Sequence, residues 1–271
     1  MTLWEAAFLG LVQGLAEFLP ISSSGHLVLG QYLLGIRSGG KDVTFEVFVH
    51  FGTVLSILTV YRRPVGKMIG SVVGGLRHPS EAVRRYADDA LFRTAMLILL
   101  TMVPTGLLYF MFRHLIESAF DKPRLVCLML IVTGVLLLLT LLRKKPDGDL
   151  NGLKAFVVGV SQAAAMIPGI SRSGATICTA LYQNVAPERA ANFSFLMLLP
   201  VVLGATLIQS IEIFANGVAF DWLALAIGTS SAYVSGVIAI RVLLDVVRRG
   251  RLQYFAYYCF AVGIAGLLFL A

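Results

Sequence analysis

Residues 13–26 read Q-G-L-A-E-F-L-P-I-S-S-S-G-H, and residues 162–176 read Q-A-A-A-M-I-P-G-I-S-R-S-G-A-T. Each stretch is a polar tip between two apolar runs, 3–19 and 26–36 in the first case, 153–167 and 174–186 in the second. Those runs are too short to cross a bilayer singly, which takes about 20 apolar residues. A short helix, a polar turn and a second short helix read as a re-entrant hairpin, a backbone tolerated at membrane depth only where protein or a water-filled cavity surrounds it. The hairpins also match each other. At an offset of 149 residues, Gly10, Gln13, Ala16, Ile21, Ser22, Ser24 and Gly25 coincide with Gly159, Gln162, Ala165, Ile170, Ser171, Ser173 and Gly174.

The rest of the chain fits this reading. Of 271 residues, 58% are hydrophobic and 14% charged, against about 25% charged in ordinary soluble proteins. The mean hydropathy is +0.83, which points to one integral membrane domain over 1–271. Six runs have the length of a span: 43–61, 90–112, 124–142, 191–215, 220–244 and 252–271. Each hairpin is followed by three of them. A hairpin returns to its own side, so each unit crosses an odd number of times and the second is inverted relative to the first. The expected fold is all-α, six transmembrane helices plus two re-entrant hairpins in inverted repeats of approximately 1–142 and 150–271. Such repeats place a site between them near the midplane.

The formal charge is +7, but the cations lie in short connections between apolar runs, which argues against a nucleic-acid surface. Fourteen of them (Arg62, Arg63, Lys67, Arg77, Arg84, Arg85, Arg143, Lys144, Lys145, Lys154, Arg189, Arg248, Arg249 and Arg251) fall on one side. Five (Arg37, Lys41, Arg113, Lys122 and Arg124) fall on the other. The richer side is expected to be cytoplasmic, with both termini outside and the site opening outward. The 62–89 segment is the longest cytoplasmic connection and carries no evident chemistry. The N-terminus lacks a basic region, so no cleaved signal peptide is expected. Cys127, Cys178 and Cys259 lie in apolar stretches without ligand spacing and read as buried hydrophobes.

Ionisable residues within hydrocarbon are costly and mark function by default; here they are Glu17, His26, Glu46, His50 and Arg172. Gln13 and Glu17 share a helix face, where a carboxylate could hold a cation, take a proton or serve as a structural hydrogen bond. Ser22, Ser23, Ser24 and Gly25 form a tip whose following helix aims free N–H groups back at it, an anion site, although serine-rich turns also cap helices. His26 adds a group that titrates near neutrality. In the second tip, Arg172 offers a planar fork suited to phosphate oxygens, with Gly169, Ser171, Ser173, Gly174 and Thr176 around it. The bland alternative is an Arg172–Glu17 ion pair that only joins the hairpins. Glu46 and His50 read equally well as polar glue or as site residues.

These residues resemble the undecaprenyl-diphosphate phosphatase family, the bacitracin-resistance proteins. That family's (E/Q)-x-x-x-E motif is matched by Gln13 and Glu17, its F-L-P-x-S-S-x-G-H by residues 18–26, and its P-G-x-S-R-S-x-x-T by residues 168–176. Thr44, Phe45 and Glu46, and Phe193, Ser194 and Phe195, also fit, so the resemblance covers essentially the whole chain. It implies hydrolysis of undecaprenyl diphosphate to undecaprenyl phosphate and inorganic phosphate, in the bacterial cytoplasmic membrane. That reaction recycles the carrier for cell-wall synthesis and gives bacitracin resistance. The resemblance also implies a divalent cation, Mg²⁺ or Ca²⁺. Gln13 stands where the family also uses glutamate, so a two-carboxylate grip by Gln13 and Glu17 is weakened here.

On this reading Glu17, Ser23, His26 and Arg172 are the catalytic group. Ser23 is the nucleophile, His26 or Glu17 takes its proton, and Arg172 with the helix N-termini neutralises the oxygens. Direct attack by water is the alternative. The partners expected are the prenyl diphosphate and membrane lipid, and the chain could also pair with copies of itself. Two rivals are weaker. A type-2 phosphatidic acid phosphatase needs a second histidine shortly after the S-R pair, and residues 173–183 contain none. A lipid or anion transporter would share the inverted-repeat architecture.

Overall fold

The computed structural model describes residues 1–33, 43–143, 146–215 and 221–270. Within them the regular structure is helical, apart from one isolated bridge between Gly148 and Val185. The first hairpin is α1 (Leu3–Phe18) and α2 (Ser23–Leu33), followed by α3 (Val43–Val60), α4 (Arg62–Arg77), α5 (Ala82–Asp88), α6 (Ala90–Ala119) and α7 (Pro123–Leu139). The second hairpin is α8 (Gly152–Ala164) and α9 (Arg172–Tyr182), followed by α10 (Pro187–Ala215), α11 (Trp222–Arg248) and α12 (Gln253–Phe269). Residues 34–36 of the first hairpin, and Arg37, Lys41, Lys144 and Lys145 of the charge count, lie outside the described residues.

Local chemistry sets the helix starts. Thr2 and Glu5 form a reciprocal capping box on α1, and Asn151, Asp89 and Asp221 accept first-turn amides of α8, α6 and α11. These caps satisfy donors that a helix leaves open. Pro123 occupies the first turn of α7, where its missing N–H costs nothing. The segment 62–89, expected to be a plain connection, instead forms α4 and α5. Four glycines and four cations in 62–77 mask the apolar periodicity that makes α4 a helix.

Among the described residues, three helices, Ala90–Ala119, Pro123–Leu142 and Trp222–Arg248, are long and apolar enough to cross a membrane, the second counting the 3₁₀ turn that extends α7, and the bent pair α3 and α4 would make a fourth span if taken as one. Leu99, Val103, Leu107 and Phe110 form an exposed apolar stripe along α6. A continuous stripe of that kind is read as a lipid-facing surface rather than scattered surface hydrophobes. The chain is therefore a multi-pass membrane protein, as its composition implies.

Inside, α1 packs against α11 and α8 against α6. At the first contact an added Cβ on Gly10 would stand 2.2 Å from the Gly228 carbonyl oxygen. At the second, one on Gly159 would stand 2.7 Å from the Thr101 carbonyl oxygen. These glycines are the matched pair at the 149-residue offset. Each seam also carries a hydroxyl-to-carbonyl bond, Ser231 to Ala7 at 2.7 Å and Thr105 to Gly159 at 3.1 Å. Close backbone approach over small residues is how membrane helices gain packing energy without a hydrophobic drive. The core beneath the tips is built around Phe18, Ile57, Ile177, Phe195 and Leu243, with Phe18 and Phe195 edge to face at 5.6 Å.

Gly10→Ala should therefore force α1 off α11, at a cost of about 1–3 kcal/mol. A thermal melt of the detergent-solubilised protein should show a clear loss. Gly106→Ala, which meets nothing within 4 Å, should leave the midpoint unchanged or slightly raised.

Candidate active site

The two tips meet. Gly25 faces Gly169 across the contact, where an added Cβ would lie 3.0 Å from the Gly169 Cα. Gly174 faces Pro20, where it would lie 3.3 Å from the Pro20 Cβ. Gly25 matches Gly174 and Pro20 matches Gly169 at the 149-residue offset, so the contact is reciprocal. The tip helices also start alike. Ser22 Oγ accepts from Gly25 N at 3.2 Å, and Ser171 Oγ accepts from Gly174 N at 3.1 Å.

Each tip is held from the other half of the chain. Thr133 of α7 donates its hydroxyl to Gly169 O at 2.9 Å and accepts from Ser171 N at 3.0 Å. The Cys259 thiol of α12 lies 3.6 Å from Pro20 O. The turns themselves differ. Ser22 holds φ +67°, whereas in the second tip the left-handed position falls on Gly169 at φ +97°. Left-handed backbone is costly for a non-glycine residue and persists only where the surroundings impose it. His26 supplies that constraint, since its Nδ1 donates to Ser22 O at 2.8 Å.

Between the tips lies a small cleft of about 40 Å³, lined by Ala16, Glu17, Ser22, Ser23, Ser24, Ala165, Ile170, Ser171 and Arg172. Its charged centre is one ion pair, Arg172 Nη2 to Glu17 Oε1 at 3.1 Å, with side chains only 15% and 9% exposed. Arg172 Nη1 also donates to Ser194 O at 3.3 Å. The other carboxylate oxygen, Oε2, accepts from Ser23 Oγ at 3.0 Å and from Gln13 Nε2 at 3.1 Å. His50 Nε2 stands 3.9 Å from the same oxygen, and His50 Nδ1 donates to Glu46 O at 2.7 Å. A hydroxyl already donating to a carboxylate has a proton acceptor in place. A guanidinium poised at the same spot can neutralise an incoming anion.

The expected site residues thus divide. Glu17, Ser22, Ser23, Ser24, Ser171 and Arg172 converge on the cleft. Gly25, Gly169 and Gly174 shape the contact between tips. Ser173 and Thr176 are spent inside the protein, the first on Leu19 O at 3.3 Å, the second on Arg172 O at 2.8 Å and Ser194 Oγ at 2.7 Å. His26 does not line the cleft; its Nε2 meets the Tyr258 hydroxyl at 2.8 Å. The imidazole nearest Glu17 is that of His50. Thr133 and Tyr258 escaped sequence reasoning, and Ser194 entered it only within the Phe193–Phe195 stretch. Thr133 had a visible signal, a polar residue in the middle of an apolar span.

Among the described residues, no three His, Cys, Asp or Glu side chains converge, and Glu17 is the single carboxylate of the cleft lining. Magnesium or calcium takes six or more oxygen ligands, so the protein offers one anchor and little else. Gln13 turns its amide nitrogen to Glu17.

A family description, bacitracin resistance protein BacA, matches residues 6–265. The chain belongs to the BacA family. It is 63% identical over 267 residues to an undecaprenyl-diphosphatase of Salinibacter ruber, covering 98% of this chain and 99% of that one. A relative of the same name from Halothermothrix orenii is 40% identical, with 97% and 96% covered. One from Rubrobacter xylanophilus is 38% identical, with both chains fully covered. The BacA match spans both tips and every element that braces them.

Thr133→Val should loosen the second tip, because two buried backbone groups of Gly169 and Ser171 lose their partner at about 1–3 kcal/mol each. Hydrogen exchange in detergent should show faster exchange of the Ser171 amide, while α1 and α11 keep their protection.

Proposed function

We propose that this BacA-family chain is an undecaprenyl-diphosphate phosphatase whose single active site is the cleft between the two tips. The observation that carries this is the convergence of Arg172, Glu17 and Ser23 in one cleft, with the name borne by full-length relatives. A long prenyl tail needs no aqueous pocket: it lies in lipid while its diphosphate reaches the tips.

The chemistry follows from the geometry. Diphosphate entering the cleft draws Arg172 from Glu17 onto its terminal oxygens, where a bidentate guanidinium is well matched. The freed carboxylate takes the proton of the Ser23 hydroxyl, which already points at it. Ser23 Oγ forms a bond to the terminal phosphorus, and the bond from that phosphorus to the bridging oxygen breaks. Undecaprenyl phosphate departs with the electron pair. The proton held by Glu17 passes to the departing oxygen of undecaprenyl phosphate. Water, deprotonated by the carboxylate so restored, then displaces Ser23, whose oxygen takes that proton back as inorganic phosphate is released. Of the two proton acceptors considered from sequence, Glu17 has the direct contact and His26 acts as a brace for Ser22. The cation implied by the family would be held by Glu17 and by the substrate's own oxygens, and it would supply further neutralisation of the phosphates.

The finer topology also belongs to this reading. The reciprocal tip contact, the matched glycine seams and the exchange of braces between α7 and α12 support two units of approximately 1–142 and 150–271 related by inversion. The six spans are then α3, α6, α7, α10, α11 and α12, in the cytoplasmic membrane of a bacterium. Ion pairs Arg189–Asp149 and Arg248–Glu188 and the Tyr61–Asn192 hydrogen bond gather the ends of α3 and α11 with the starts of α8 and α10. That is the cation-rich end, read as cytoplasmic, with both termini and the mouth of the site outside.

Arg172→Ala should release phosphate from undecaprenyl diphosphate about 10²–10³-fold more slowly than the unaltered protein in detergent micelles. Ser23→Ala should be equally impaired and should trap no phosphoserine after an acid quench. Near-normal turnover by Ser23→Ala would assign the attack to water instead.

A further inference from the structure

The catalytic reading leaves α4 unused. It follows α3 through the single residue Tyr61, yet the two helices are bent by 87°. If α3 crosses the bilayer, as the proposed topology has it, α4 runs along the membrane plane at the cytoplasmic end. Its sequence supports that placement. Residues 62–80 contain Arg62, Arg63, Lys67 and Arg77 and no acidic residue. None of these four cations has an ion-pair partner among the described residues, whereas Arg84 and Arg85 of α5 pair with Asp88 and Glu81.

The helix has three faces. One is docked on the protein: Ser71 donates to the Asp89 carboxylate that caps α6, and Gly75 is buried against the Phe92 ring. A second carries Ile69, Val73 and Leu76, 58%, 40% and 74% exposed and spaced as one helical stripe. Arg63, Lys67 and Arg77 fall on the third, on the other flank of that stripe from the docked face. Large apolar side chains held in the open beside unpaired cations are the pattern of a helix lying in the lipid interface.

We infer that α4 is an interfacial anchor that reads anionic phospholipid headgroups: Ile69, Val73 and Leu76 enter the upper acyl region while Arg63, Lys67 and Arg77 bind headgroup phosphates. Charge complementarity selects the occupant. A water-facing helix has no use for the stripe, and an acidic protein partner would leave the stripe uncovered at lipid level. The surface lies on a different helix from those that line the cleft. Its α3 neighbour carries His50, so a lipid-seated α4 also fixes the depth at which the cleft sits.

The test uses the full chain with Leu76→Cys labelled by a fluorophore; Cys127, Cys178 and Cys259 are buried and stay unlabelled. In phosphatidylcholine nanodiscs the label should be quenched by dilute spin-labelled lipid more than by aqueous iodide. Spin-labelled phosphatidylglycerol should quench it several-fold more strongly than spin-labelled phosphatidylcholine. Adding Arg63→Gln, Lys67→Gln and Arg77→Gln together should bring the two lipids level. Phosphate release by that triple variant in neutral detergent, where no anionic surface exists, should stay at the unaltered level. Dominant iodide quenching would place the stripe in water or under a protein and overturn the inference. Equal quenching by the two lipids in the unaltered chain would overturn its anion-reading part. Loss of turnover in detergent would make the cations structural and overturn the anchor role. The catalytic reading stands or falls on Arg172 and Ser23 independently of these outcomes.

Discussion

One ion pair organises this molecule. Arg172 and Glu17 come from opposite halves of the chain and meet in a site that water barely reaches. Removing one partner would leave an uncompensated charge in low dielectric, which costs several kcal/mol, whereas the intact pair is close to neutral for stability. Such a pair is thus weak as glue and strong as a device. In the proposed mechanism it holds a permanent cation in the cleft until an anion arrives to take it. The carboxylate that such an exchange would release is the group that accepts from Ser23 Oγ. On that proposal, binding and activation are the same event.

The braces explain why the pair can form at all. A polar turn inside a membrane protein must have its backbone satisfied by neighbours. Thr133 does this for the second tip, and His26 does it locally for the first, with Tyr258 behind it. The two tips match in their serine caps and in the glycines that let them touch. They part company at Ser22 and Gly169, where the left-handed residue falls at different positions. The second tip uses a glycine and is relaxed. The first uses a serine held by a histidine, and it is the one that carries Ser23.

Much of this was legible in the residues. The Ser-Gly tips at a fixed offset, the isolated charges Glu17 and Arg172, and the apolar runs are local patterns with strong physical reasons. What stayed hidden was set by tertiary contact. Nothing local tells His26 to turn from the cleft toward Tyr258, or His50 to approach Glu17 from another helix. Ser173 and Thr176 look like anion donors in sequence, and their hydroxyls are consumed by Leu19, Arg172 and Ser194. In sequence, helix α4 looks like a connection because glycines and cations interrupt its apolar face, and its docking through Ser71 and Gly75 depends on α6.

The central claim is that the charge pair between the tips opens to hydrolyse a lipid diphosphate rather than to carry it. The most direct measurement follows an isotopic label on the terminal phosphate of undecaprenyl diphosphate through a single turnover of the purified protein in liposomes. The account predicts that the label leaves as inorganic phosphate while the lipid keeps one phosphate, and that Arg172→Ala leaves the label on the lipid. Label retained on a lipid that changes leaflet, with no inorganic phosphate formed, would contradict it.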